Sequence, residues 1–267
     1  MAWAAALLLA TPILPAAPCP APVIAFAPPL DVPMTLRRRV ERELGHGVFV
    51  QDTTYRLEFA QAGRGYRMRW QQMDEQSEGP AELLRLLELQ ERSVSAESID
   101  VTLDAQGRVL GISESADSSA RLVQAIDRLR TDAALAARPA QQRAQIMALL
   151  DRLSDMPGEE RLALQRPRLE RPVMLAGRGC GAGEVQTGEG VAYRIVANSG
   201  EALKLVSHHE SGRGSGQTVT VTDVVMLSRG SGLVQTFDRT TVTTVAGTVR
   251  KSRETHVLEP GPDGAKR

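Results

Sequence analysis

Apolar and polar positions alternate through most of the chain, and the alternation breaks in the middle. Met34, Leu36, Val40 and Leu44 share one parity, while Thr35, Arg37, Arg39, Glu41 and Glu43 share the other. A period of two places the first set on one face of a strand and the second on the opposite face. Arg38 and Arg42 interrupt the apolar face. Tyr55, Leu57 and Phe59 alternate with Arg56 and Glu58, and Tyr66, Met68 and Trp70 alternate with Arg67 and Arg69. Ala62-Gly63-Arg64-Gly65 lies between them, so the segment reads as a hairpin. Ile99, Val101 and Leu103, the turn Asp104-Ala105-Gln106-Gly107, then Val109 and Ile112 give a second. Beyond residue 190 the period of two returns in Val191, Tyr193 and Ile195, in Leu203 and Leu205, in Val219 to Leu227, in the Thr-rich Leu233 to Thr244, and in Thr248 to Leu258.

Between these regions the period is helical. From Asp117, a candidate N-cap, Leu122, Ile126, Leu129 and Ala133 recur along one face. Pro139 restarts the chain, and Ile146, Leu149, Leu150 and Leu153 form another stripe. Pro157 opens a third helix with Glu159 and Glu160 in its first turn, where negative charge is favoured. The predicted class is α+β: two antiparallel strand-rich regions, residues 31–115 and 167–259, joined by a helical middle segment, 116–166. Tyr55-Arg56-Leu57 before its glycine turn and Tyr193-Arg194-Ile195 before its own suggest two related sheet halves. Residues 260–267 read as a disordered tail.

Two segments stand apart. Residues 1–27 read as a signal peptide and leader: Ala2 to Leu14 is apolar and rich in Ala and Leu, with small residues and prolines after it. The run is too short to span a bilayer unbroken. Ala16 or Ala17 would end the leader, and Ala25-Phe26-Ala27 offers a second small-x-small cut. The processed chain has no predicted transmembrane segment and is expected in the periplasm or outside the cell. Leu83, Leu84, Leu86, Leu87 and Leu89 crowd a helix-favouring stretch after Pro80. The plain reading is a cap on the first sheet, and the functional one is a lid over an apolar ligand formed by Leu83, Leu84, Leu86 and Leu87.

Composition narrows the function. Lys plus Arg equals Asp plus Glu at 32 each, so the chain has no global pull toward nucleic acid or an anionic membrane. Aromatic residues at 3% leave few rings for stacking bases. Of the cysteines, Cys19 and Cys180 are a candidate disulfide in an oxidising compartment if the cut falls before Cys19. Gly177-Arg178-Gly179-Cys180-Gly181-Ala182 fits a dinucleotide loop in letters, but no helical run follows it. His208 and His209 would take opposite faces of a strand and cannot easily share a metal ion. Cys180 lacks a neighbouring base for nucleophilic work. Arg37-Arg38-Arg39 and Arg42, with Glu41 and Glu43 beside them, are expected to make cross-strand pairs on a solvated face. No catalytic, cofactor-binding or metal-binding residue is assigned.

The order of proline-rich leader, Tyr55-x-Leu57-x-Phe59, Gly65-Tyr66, Leu103-Asp104-x-x-Gly107-Arg108-Val109, helices and a Thr-rich strand end resembles uncharacterised exported proteins of proteobacteria. The layout is also distantly similar to periplasmic lipoprotein carriers, in which a curved sheet wraps helices around an apolar cavity. The likeness is one of layout, and it carries over no function and no binding residue. The expected function, resting on the leucine excess at 83–89, is an exported non-enzymatic protein binding an apolar ligand or an envelope partner. The alternatives are an assembly protein acting through its sheet edges and a hydrolase built on Cys180.

Overall fold

A computed structural model describes residues 24–45, 47–80, 84, 98–114, 116–181, 183–188, 190–212 and 216–261. Its strands are β1 (Met34–Leu44), β2 (Gly47–Ala62), β3 (Gly65–Glu78), β4 (Ser98–Leu103), β5 (Val109–Glu114), β6 (Cys180–Gly181), β7 (Glu184–Gln186), β8 (Ala192–Asn198), β9 (Ala202–Ser211), β10 (Gln217–Ser228), β11 (Val234–Val245) and β12 (Thr248–Pro260). The helices are α1 (Ala116–Arg130), α2 (Ala133–Ala136), α3 (Ala140–Asp155) and α4 (Gly158–Glu170), followed by a 3-10 turn, Arg171–Val173.

The expected hairpins form in register. Phe59 faces Met68 and Leu57 faces Trp70 across β2–β3. All four side chains are buried. In the β4–β5 turn the Asp104 carboxylate accepts from the Gln106 and Arg108 amides at 2.9 and 2.8 Å. Gly107 closes that turn at a φ of 82°, a region that L side chains disfavour.

The expectation of two strand-rich regions joined by a helical middle is corrected by the strand pairing. All twelve strands belong to one sheet, in the order β5-β4-β3-β2-β1-β12-β11-β10-β9-β8-β7-β6. Every pairing between strands is antiparallel. The first and last strands fuse the halves at the centre: Leu36 pairs with Leu258 and Arg38 with His256. The backbone of β1 has hydrogen-bonding groups on both edges, and β12 takes the edge that β2 leaves open. The helices therefore lie on the connection from one sheet edge, β5, to the other, β6. After Cys180 the short strand β7 pairs with β8 through Val185 and Tyr193.

The inner face of the sheet is filled by the chain itself. Leu57, Phe59, Met68, Trp70, Val101 and Leu103 pack in one cluster with Phe26, Leu169, Val173 and Ala176. Val185, Tyr193, Leu205, Val225, Leu227 and Phe237 pack in a second with Ile24 and Leu175. The helices keep a small core of their own around Ile126, Leu135 and Leu150, with Leu129, Ile146 and Leu153 packed against it; all but Leu135 belong to the stripes that the helical spacing predicts. Of the leucines assigned to a lid, Leu84 is half-buried and its amide donates to the Pro80 carbonyl at 3.1 Å. Leu83, Leu86 and Leu87 lie outside the described residues, as does Cys19.

Candidate functional site

Strand alternation sends Val225 and Leu227 of β10 inward, and by the same parity it sends Asp223 inward. The register then lines up a row of polar side chains on the covered face. Ser207 pairs with Asp223, Asp223 with Arg239, and Arg239 with Glu254. Phe237, His256, Arg38 and Thr53 form the next row. Ser207, Asp223, His256 and Thr53 are buried.

Each carboxylate in this patch is already engaged. Arg239 donates from Nε and Nη2 to the two Asp223 oxygens, both at 2.8 Å, and the Tyr193 hydroxyl donates to Asp223 Oδ2 at 2.6 Å. Such a two-pronged guanidinium–carboxylate bond is among the strongest polar contacts in proteins. Burial, then the Asp223 hydrogen bond, pushes the Tyr193 phenol far above its ordinary pKa. On the neighbouring strands Arg38 Nε donates to Glu254 Oε1 at 2.6 Å, and His256 Nε2 lies 3.0 Å from the same oxygen. Burial works against the Glu254 charge, but the His256 bond and the Arg38 charge outweigh it and hold the carboxyl well below its ordinary range. Burial lowers the His256 pKa, and the charges of Arg171 and Arg38 act in the same direction against the pull of Glu254.

Arg171 stands over this patch from the 3-10 turn. It is 8% exposed. Its guanidinium carbon lies 3.9 Å from the centre of the Phe237 ring, whose face attracts cations. Burial, then the charge of Arg239, pulls its pKa below the ordinary value, against the weaker pull of Glu254, Tyr193 and Asp223. Arg171 has no salt-bridged carboxylate among the described residues, and its Nε is buried without a hydrogen-bond partner. Arg38, Arg171 and Arg239 thus face Asp223 and Glu254, and Arg171 supplies the surplus charge.

That surplus opens onto a cavity of about 320 Å³. Its polar wall carries Arg108, Arg166, Arg171, Arg178 and Arg239 against one carboxylate, Glu170. Glu170 is tied to Arg166 at 2.6 Å. The Nε of Arg178 is buried without a partner, and a Cβ at Gly188 would lie 2.7 Å from its Nη2, so the glycine leaves room for the guanidinium. Val109, Val173, Met174 and Val191 supply an apolar side.

The residues singled out in the sequence lie elsewhere. The basic run divides: Arg39 bonds Glu41 and Asp52 on the exposed face, whereas Arg38 turns inward to Glu254. The solvated role therefore describes Arg39 and not Arg38. His208 and His209 alternate along β9, and His208 Nδ1 lies 3.1 Å from Thr222 Oγ1. Cys180 sits on the two-residue edge strand β6, opposite Val185. No local pattern in the sequence singles out the cavity residues. One usable signal is Asp223, an acid on the parity that otherwise carries Val219, Val221, Val225 and Leu227.

A buried neutral histidine makes stability depend on pH. The unfolded His256 takes up a proton near pH 6.5, while the folded one resists it. The unfolded state then binds more protons below that pH, so stability is present above about pH 6.5 and is lost as the pH falls. Glu254, with its folded pKa depressed, adds a second loss below about pH 4.3. Urea unfolding at pH 7.5, 6.5, 5.5 and 4.5 is expected to show a falling midpoint, and His256→Gln should flatten the upper part of that curve. A flat wild-type profile between pH 7.5 and 5.5 would mean that His256 titrates alike in the folded and unfolded chain, and a midpoint that rises as the pH falls would mean that it is charged in the fold.

No family model and no curated protein matches this chain. Among solved structures it is similar to lipovitellin, solved for its lipid–protein interactions, at 9% identity and a TM-score of 0.38. That match covers 86% of this chain but 25% of the lipovitellin chain. It is also similar to DynF from the dynemicin biosynthesis pathway of Micromonospora chersina, at 9% identity and a TM-score of 0.21, over 97% of this chain and 95% of that one. At these scores neither likeness assigns a fold family or a function.

Proposed function

We propose that this chain is an exported, non-enzymatic binding protein whose cavity takes a small amphipathic anion. The observation that supports this most is Arg171, a buried guanidinium with surplus charge on the cavity wall. An unpaired buried cation costs free energy that a bound anion returns. Arg171 and Arg178 would hold a carboxylate or phosphate head, since guanidinium groups match both in geometry. Val109, Val173, Met174 and Val191 would face the apolar body. The volume suits a small organic molecule rather than a long lipid chain. The lining offers recognition more than bond-breaking: Glu170 is held by Arg166, and the Tyr193 hydroxyl by Asp223.

The test is thermal unfolding with a graded panel: inorganic phosphate, short alkyl phosphates, hexanoate, octanoate, and the neutral alcohols of the same chain lengths. An anionic amphiphile at about 100 times its Kd stabilises by about 2.7 kcal/mol. In a chain of this size that is a rise in Tm of several degrees. The matched alcohols should give none. Equal shifts with acids and alcohols would favour a purely apolar ligand, and no shift across the panel would overturn the reading.

A further inference from the structure

Residues 24–30 hold the inner face of the sheet together. Ile24 is 6% exposed and packs in the second cluster, while Phe26 is 8% exposed and packs in the first. The Phe26 ring meets Phe59 and Tyr66 edge to face, with centroids 6.0 and 5.1 Å apart. The backbone is fastened along its length. The Ile24 amide donates to the Arg178 carbonyl at 2.8 Å, the Gly177 amide donates to the Ile24 carbonyl at 2.9 Å, and the Ala27 amide donates to the Ser231 carbonyl at 3.0 Å. Two glycines are shaped to this strap. A Cβ at Gly107 would fall 2.7 Å from the Phe26 ring, and one at Gly232 would run into the Ala25 carbonyl.

We infer that Ile24 to Leu30 is a permanent part of the folded protein, and that any leader is removed upstream of Ile24, at Ala16 or Ala17 rather than after Ala27. A cut after Ala27 would strip one large apolar side chain from each of two clusters and leave the Arg178 and Ser231 carbonyls without these donors. Losses of that kind are among those that unfold marginally stable domains. The same strap braces the Ala176–Arg178 wall of the cavity, because Phe26 packs with Ala176 and Ile24 bonds to Arg178.

The experiment is N-terminal sequencing and intact-mass measurement of the folded protein recovered from cells expressing the full chain. The first residue is expected at Ile24 or earlier. A folded protein beginning at Pro28 overturns the inference. Phe26→Ala in the full chain adds an independent readout: its Tm should fall by about 10 °C. Should that variant fail to accumulate, Phe26→Leu is expected to fold with a smaller drop of a few degrees. A Tm equal to that of the wild type in either variant overturns the structural role.

Discussion

Asp223→Ala is expected to cost about 3–5 kcal/mol of stability, because it leaves the part-buried Arg239 guanidinium without its two-pronged partner and the buried Tyr193 hydroxyl without its acceptor. Asp223 is 1% exposed and accepts three hydrogen bonds, two from Arg239 and one from Tyr193. Its removal unpairs the Tyr193 hydroxyl and sets Arg239 against Arg171, whose guanidinium carbons share the Phe237 ring at 5.3 and 3.9 Å. The pairing account has a sharp consequence for the double variant. If the loss comes from the stranded cation, Asp223→Ala combined with Arg239→Met should be markedly more stable than Asp223→Ala alone. The coupling in such a cycle is expected at about 1–3 kcal/mol. Urea denaturation of the four proteins measures it. Additive losses would mean that Asp223 acts through Tyr193 and local packing, with Arg239 a bystander.

The same pair marks where sequence reasoning stopped. Tyr55, Leu57 and Phe59 declare a strand because the period of two is local, and a nearby glycine turn fixes their partner strand. The contact of β1 with β12 has no such local cause. Met34 meets Pro260 only after the whole chain has returned, and parity says which face is buried but not which strand lies alongside. The pattern therefore predicts two strand-rich regions joined by helices and leaves open whether they share one sheet. The site was hidden for a related reason. Arg108 comes from the β4–β5 hairpin, Arg166 from α4, Arg171 from the 3-10 turn, Arg178 from the chain before β6, and Arg239 from β11. Each looks like an ordinary surface arginine in its own segment, and only the fold converges them. Asp223 and Arg38 did carry a trace. Both are charged residues on the inward parity of their strands, and both proved to have buried or half-buried ionic partners.

Arg171→Met should separate stability from binding by moving them in opposite directions. In most proteins, truncating a buried arginine destabilises, because it strands a carboxylate. Here Asp223 is satisfied by Arg239 and Tyr193, and Glu254 by Arg38 and His256, so none is stranded. Methionine keeps much of the unbranched stem and can lie against Phe237. The variant loses a cation–π contact, which is worth about 2 kcal/mol when desolvated. It is relieved of the desolvation cost of a buried charge that no carboxylate bridges, several kcal/mol per ion, less the longer-range pull of Glu254 and Asp223. The second effect is the larger, so the ligand-free protein should be more stable than wild type by about 1 kcal/mol or more. Affinity for an anionic amphiphile should fall about 100-fold, the loss of about 2.7 kcal/mol expected when one strong charge-assisted contact disappears. Arg171→Lys keeps the charge without the planar fork and should fall between the two in affinity. Titration calorimetry and urea unfolding on the same three proteins read both quantities. Higher stability with weaker anion binding fits an arginine held in a costly position for a ligand. Lower stability with unchanged binding would make Arg171 a clamp on Phe237 and remove the main support for the anion site.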